Sequence, residues 1–148
     1  MTTADAGDTG SVYVSLVVDT VDFGLFTSCE GLACDVEVTK RPEGGNNAYV
    51  PQLPGRITYP NIKLTRMLDS TSSKIAAWVS SMATSPKRSN VTLAALSFSG
   101  TTLASWTLIE AFPVRWTGPS FNVGQLAGAT ETIELAHHGF LASSNGGL

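Results

Sequence analysis

The stretch Leu53-Pro54-Gly55-Arg56-Ile57-Thr58-Tyr59-Pro60-Asn61-Ile62-Lys63-Leu64-Thr65-Arg66 constrains the fold more than any other part of the sequence. It opens on Pro and Gly, which break regular structure. It closes on an alternating run whose Ile62 and Leu64 share one face, as in a strand with one side in a core. A polar stretch precedes it, Arg41-Pro42-Glu43-Gly44-Gly45-Asn46-Asn47-Ala48-Tyr49, whose Gly and Asn residues favour turns and positive φ. Pro51 and Pro54 stiffen the return. A loop over 41–52 in a small β domain points to a function. Its backbone needs hydrogen-bond partners, and it has too few apolar side chains to build a core.

After this stretch, Ile75, Trp78, Val79 and Met82 fall at i, i+3, i+4 and i+7. The spacing predicts an amphipathic helix over 70–83, capped by Asp69 or Ser70, with its apolar stripe on a sheet. The rest reads as strands. Ser11 to Asp19 alternates, with Val12, Val14, Leu16 and Val18 on one face; Phe23 to Leu32 is a second strand. In Ala33 to Lys40, Cys34, Val36 and Val38 stand opposite Asp35, Glu37 and Thr39, and the polar side should meet water or a partner. Asn90 to Phe98 and Thr101 to Ile109 flank Ser99-Gly100, a hairpin signal. Ala111 to Trp116 continues extended, with Pro113 at an edge or bulge, and Thr117-Gly118-Pro119 breaks it. Phe121 to Gly128 is ambiguous, and Ala129 to Leu141 is the last strand. The expected architecture is mainly β, an antiparallel sandwich or barrel with one packed helix, in one domain over 11–141. A flexible arm over 1–10 and a fraying tail over 142–148 flank it.

Several function classes fall away on inventory. The net charge of −3, from 9 basic and 12 acidic residues, lacks the clustered Lys and Arg that phosphate binding requires. Met1 to Gly10 has neither a basic start nor an apolar core, so no secretion signal is expected, and no run is long enough for a membrane span. The two cysteines, Cys29 and Cys34, then belong to a reducing compartment. His137 and His138 are adjacent, so as strand residues they point apart and do not share a metal; one is expected packed at an interface and one exposed. Glu131 and Glu134, three apart, face opposite sides and make a poor carboxylate pair. No nucleophile elbow, zinc-helix motif or phosphate loop is present. No catalytic, metal or cofactor site is expected. Trp78, Trp106 and Trp116 are expected to be buried rather than to form a sugar platform. Charged content is only 14% against 43% hydrophobic, which suits a surface largely covered by other subunits.

The order of pieces resembles the tail-tube family of contractile phage tails and related injection systems, from about Val12 to Leu141. The pieces are Phe26 with Glu30-Gly31-Leu32, the polar loop, Leu53-Pro54-Gly55 with Tyr59, Asn61-Ile62, Leu64 and Arg66, and then Trp78. Pro113-Val114, Gly118-Pro119, Glu131, Ile133-Glu134-Leu135, His137 and Gly139 follow. Phe112 stands where the family often has Trp, and Met67 where Gly is common.

The resemblance implies a structural role for Gly31, Leu32, Leu53, Pro54, Gly55, Asn61, Leu64, Arg66, Trp78, Pro113, Gly118, Pro119, Glu131 and Glu134. It implies hexameric rings stacked head-to-tail into a hollow tube. Arg41, Pro42, Glu43, Gly44, Gly45, Asn46, Asn47 and Tyr49 would form a stacking arm reaching the next ring. The implied partners are further copies of the chain, a sheath around the tube, baseplate or spike and terminator proteins at its ends, and cargo protein or DNA in the lumen. Assembly would be cytoplasmic, the product part of a virion tail or injection particle. Two alternatives stay open: a secreted ring protein of the type VI kind, and a monomeric β-sandwich that binds carbohydrate.

Overall fold

A computed structural model describes residues 12–42, 44–45, 48–119 and 129–143. Its spine is one 16-residue strand, Thr102–Thr117 (β8), which belongs to two sheets. The first half of β8 pairs with Ser89–Ser97 (β7), which pairs with Val12–Val18 (β1) and through it with Val21–Phe26 (β2). The second half pairs with Thr130–Ala136 (β9), then Ile62–Met67 (β6), then Ser28–Glu30 (β3). A short strand, Phe140–Ser143 (β10), also lies along the first half of β8. The change of sheet falls between Ala111 and Phe112, just after Glu110, a non-glycine residue with φ of 50°. The ends of the sheet meet, because only Thr27 separates β2 from β3, and its N–H bonds to the Thr65 carbonyl at 3.0 Å.

Alternation fills the interior. Leu16 and Val18, Val91 and Leu93, Ile62 and Leu64, and Ile133 and Leu135 come from four strands and are all buried, with Phe26 and Leu108 beside them. Each such side chain contributes roughly 1.5–3 kcal/mol of burial. The helix Ser72–Thr84 (α1) begins two residues later than expected, and Thr71, not Asp69 or Ser70, holds the cap position. Asp69 instead accepts the Thr71 N–H at 2.7 Å, an Asx-type turn leading into the helix. The Thr71 hydrogen bond holds the Asp69 carboxyl below its usual range. The apolar stripe lies on the sheets as predicted: Ile75 is buried, and Trp78 meets Phe23 edge-on at 5.4 Å between ring centroids. Trp78 is half-buried at the margin of the core.

The Ser99-Gly100 hairpin forms, with Gly100 at φ 94° and its N–H on the Ser97 carbonyl. Pro113 sits at a bulge, where the β8–β9 register shifts between Pro113 and Arg115. Three expectations need correction. The second strand is two, β2 and β3, because the chain crosses from one sheet to the other at Thr27. The last strand is also two, β9 and β10, interrupted at His137-His138-Gly139, although His138 N–H still bonds to the Ile109 carbonyl and Ile109 N–H to Gly139. Leu53-Pro54-Gly55 is no breaker: it lies inside Gln52–Thr58 (β5). The ambiguous 121–128, the arm over 1–10 and residues 144–148 fall outside the described residues, and β10 reaches Ser143.

Candidate functional site

The conspicuous feature is a two-stranded ribbon, Asp35–Lys40 (β4) with β5, every residue of which is exposed. The alternation in β4 predicts one apolar face, and the structure has it: Val36 stands opposite Ile57 and Val38 opposite Pro54. That face packs on no core, and Val36, Val38 and Ile57 are about half exposed. Asp35 and Thr58 take the other side.

The ribbon is the continuation of the β3–β6 hairpin. Glu30 is opposite Lys63, and Asp35 is opposite Thr58, so the register is kept across the gap at 31–34 and 59–61. It then shifts once between Val36 and Val38, a bulge facing Pro54-Gly55-Arg56. The gap is a tight joint. Gly31 has φ of 99°, and a Cβ there would stand 2.1 Å from the Asn61 carbonyl oxygen. Asn61 Nδ2 donates to Glu134 Oε1 at 3.1 Å, and Leu32 packs against the core from the other side. Next to the joint, buried His137 accepts the Gly139 N–H on Nδ1 (3.1 Å), which leaves Nε2–H to donate to the Pro60 carbonyl at 3.2 Å. His137 is thus packed within its own chain, while exposed His138 meets Glu110 at 2.8 Å.

A second cluster lies inside the barrel. Arg66 and Glu131 are 2% and 1% exposed, directly opposite on β6 and β9, and paired through Nε and Oε2 at 3.0 Å. Trp116 Nε1 donates to Glu131 Oε1 at 3.1 Å, and the Ser72 hydroxyl donates to Oε2. Arg66 Nη1 donates to the Phe23 carbonyl at 2.7 Å, and the guanidinium lies 4.5 Å from the centre of the Phe26 ring. Arg66 Nη2 is buried with no hydrogen-bond partner among the described residues. This network ties α1, β2, β6, β8 and β9 together, and Gly118 lies against the Trp116 ring.

Of the residues implied by the resemblance, six form two groups: the joint (Gly31, Leu32, Asn61, Glu134) and the buried pair (Arg66, Glu131). Leu64 and Pro113 are buried, and Trp78 lines the helix–sheet contact. Of the proposed arm, Arg41, Pro42, Gly44, Gly45 and Tyr49 are exposed at the ribbon's end, where Arg41 N–H bonds to the Pro51 carbonyl. Glu43, Asn46 and Asn47 lie outside the described residues. Gly55 packs on Glu37, with the Leu53 and Pro54 backbone in β5. The three tryptophans lie apart on α1 and at separate points of β8, and the expectation that they are buried needs correction: Trp78 and Trp106 are only partly buried and Trp116 is exposed, because its Nε1 reaches in to Glu131 while its ring stays at the surface. Cys29 and Cys34 are free thiols, and burial pushes that of Cys29 up to about 11. No group of three or more metal-ligating side chains occurs among the described residues.

The family description "T4-like virus tail tube protein gp19" matches residues 12–141. The chain belongs to the tail tube protein family. A tail tube protein is a structural subunit, and this chain has the corresponding fold. A chain of the PVC sheath–tube complex in its extended state, an extracellular contractile injection system, superposes with a TM-score of 0.77 at 20% identity, covering 98% of this chain and 99% of that one. A chain of the six-fold symmetrised anti-feeding prophage baseplate gives 0.71 at 22% identity, over 90% and 92%. Hcp1 from Flavobacterium johnsoniae gives 0.53 at 16% identity, over 90% and 96%. Among curated proteins none matches. No helix among the described residues is long and apolar enough to cross a membrane.

The ribbon's exposure is the feature that sequence reasoning missed. Its alternation is that of a half-buried strand, and nothing among the described residues covers the apolar face. The low charge content suits a surface covered by other subunits but gives no position for such cover.

Proposed function

We propose that this tail tube protein forms six-membered rings that stack into the inner tube of a contractile particle. The observation that carries the reading is the β4–β5 ribbon, exposed on both faces. A two-stranded ribbon is marginal in water, so its apolar face calls for cover. Another copy of the chain supplies that cover in a head-to-tail assembly, whose contacts close into a ring when the rotation is right. The end of the ribbon, 41–52, then reaches the adjacent ring. The four-stranded half of the sheet supports the same reading, because among the described residues β8 has no second neighbour beyond Ala111 and β3 pairs only with β6. Open edges of this kind join between copies or invite aggregation.

In this reading a sheath surrounds the tube, baseplate or spike and terminator proteins hold its ends, and protein or DNA passes through the lumen. The subunit assembles in the cytoplasm and has no catalytic role. Size-exclusion chromatography with light scattering, followed by negative-stain microscopy, tests the assembly. Rings or tubes are expected. A 15.5 kDa monomer at every concentration and salt condition that supports folding would overturn it.

A further inference from the structure

The outward face of the four-stranded sheet carries its charges in one row. Glu30 on β3 is opposite Lys63 on β6, Lys63 is opposite Glu134 on β9, and Glu134 is opposite Arg115 on β8. The signs alternate across all four strands. The next row is made of hydroxyls: Ser28, Thr65, Thr132 and Thr117, again in direct register, with Thr65 and Thr132 hydrogen-bonded at 3.2 Å. Lys63, Arg115, Thr117, Thr132 and Glu134 line one shallow depression of about 290 Å³ on this face. The charged row ends in an acid on one open edge, Glu30, and in a base on the other, Arg115.

We propose that within the ring Arg115 of one copy pairs with Glu30 of the next, and that this pair sets the register of the joint between subunits. The inference rests on the ring assembly proposed above. Because the four strands are antiparallel in succession, β8 of one copy meets β3 of the next antiparallel as well. In that arrangement, placing Arg115 opposite Glu30 also places Thr117 opposite Ser28. One register therefore continues both rows, and the three residues Arg115 to Thr117 match the whole of β3. A slip of one residue would turn the side chains to the wrong face, and a slip of two would set Arg115 against a hydroxyl or beyond the end of β3. Like charges directly opposite are unfavourable, so the alternating row also discriminates against two copies joining through identical edges: Arg115 would meet Arg115, or Glu30 would meet Glu30. The second copy is thus selected by charge as well as by backbone pairing. The closed row is a belt without net charge.

The test uses two full-length variants, Arg115→Glu and Glu30→Lys. Each alone sets like charges against one another at every joint. Mixed in equal amounts, they restore opposite charges at every joint if the two variants alternate, which an even-membered ring permits. The expected result is that neither variant alone forms rings at the concentration where the wild type does, and that the mixture does. Circular dichroism confirms that both fold. Each variant carries its own internal clash, with Glu134 or Lys63, in both arms of the experiment, so rescue reports on the joint alone. Either variant assembling like wild type, or folded variants that stay apart when mixed, overturns the inference while leaving the tube reading intact. If reversal prevents folding, Arg115→Gln serves instead. It should weaken each joint by up to about fivefold, and unchanged assembly would equally overturn the pairing. Wild-type protein that never forms rings refutes the assembly itself.

Discussion

The buried pair Arg66–Glu131 shows what one side chain contributes and what it costs. Two charges leave water, and their attraction offsets the desolvation only if the remaining polar atoms are satisfied. Trp116 and Ser72 complete the Glu131 carboxylate, and the Phe23 carbonyl takes up Arg66 Nη1, while Arg66 Nη2 has no partner among the described residues, so the offset is incomplete. Removing Glu131 leaves Arg66 with only half-exposed Asp69, at 3.4 Å, as counter-charge; Glu131→Ala should cost about 3–5 kcal/mol in urea denaturation. The double variant Arg66→Met/Glu131→Leu leaves no unpaired charge in the interior, only half-exposed Asp69 without its arginine, and should be less destabilised than Glu131→Ala alone. A double variant as unstable as the sum of its singles would show that the two side chains act independently. The alternation of Ile62, Leu64 and Arg66, and of Glu131, Ile133 and Leu135, already puts both charges on inward faces. Their meeting was not legible, because the partners are 65 residues apart and strand order is a tertiary property.

At the scale of elements, most strands were legible because each alternates and each alternation is enforced by one buried face. The failures have a common physical cause. At Thr27 and at His137 to Gly139 the chain changes sheet or kinks without losing its pairing, so local periodicity carries no mark of the break. In β5 the Pro and Gly residues are tolerated because the strand is on an open ribbon with a bulge, where a missing N–H donor leaves nothing buried unsatisfied. The joint between the β3–β6 hairpin and the ribbon depends on Gly31, which combines a left-handed backbone with contact against the Asn61 carbonyl. Gly31→Ala should cost about 1–3 kcal/mol for the backbone alone, with the clash adding to it. Thermal unfolding measures the loss. An unchanged midpoint would mean that the joint relaxes freely and does not aim the ribbon.

For the whole molecule, the division of labour is between a barrel that holds its own core and a ribbon that holds none. The barrel holds the apolar core, the buried ion pair and the helix. The ribbon adds exposed Val36, Val38, Ile57 and Tyr49, and no buried residue. Folding free energy should therefore reside in the barrel, and assembly in the ribbon and the open edges. Replacing residues 43–49 with a short Gly-Ser linker separates the two. The change removes Tyr49 and the turn at Gly44-Gly45 but leaves both strands of the ribbon and the Arg115 and Glu30 edges untouched. Circular dichroism and the thermal midpoint of the subunit should stay close to wild type. If the proposed assembly holds, single rings should still form through the β8 and β3 edges, while stacking should fail, because that reading gives the tip the contact with the next ring. Microscopy would then show rings without tubes. Normal long tubes from this variant would reduce the tip to a surface excursion and move the inter-ring contact onto the ribbon strands themselves.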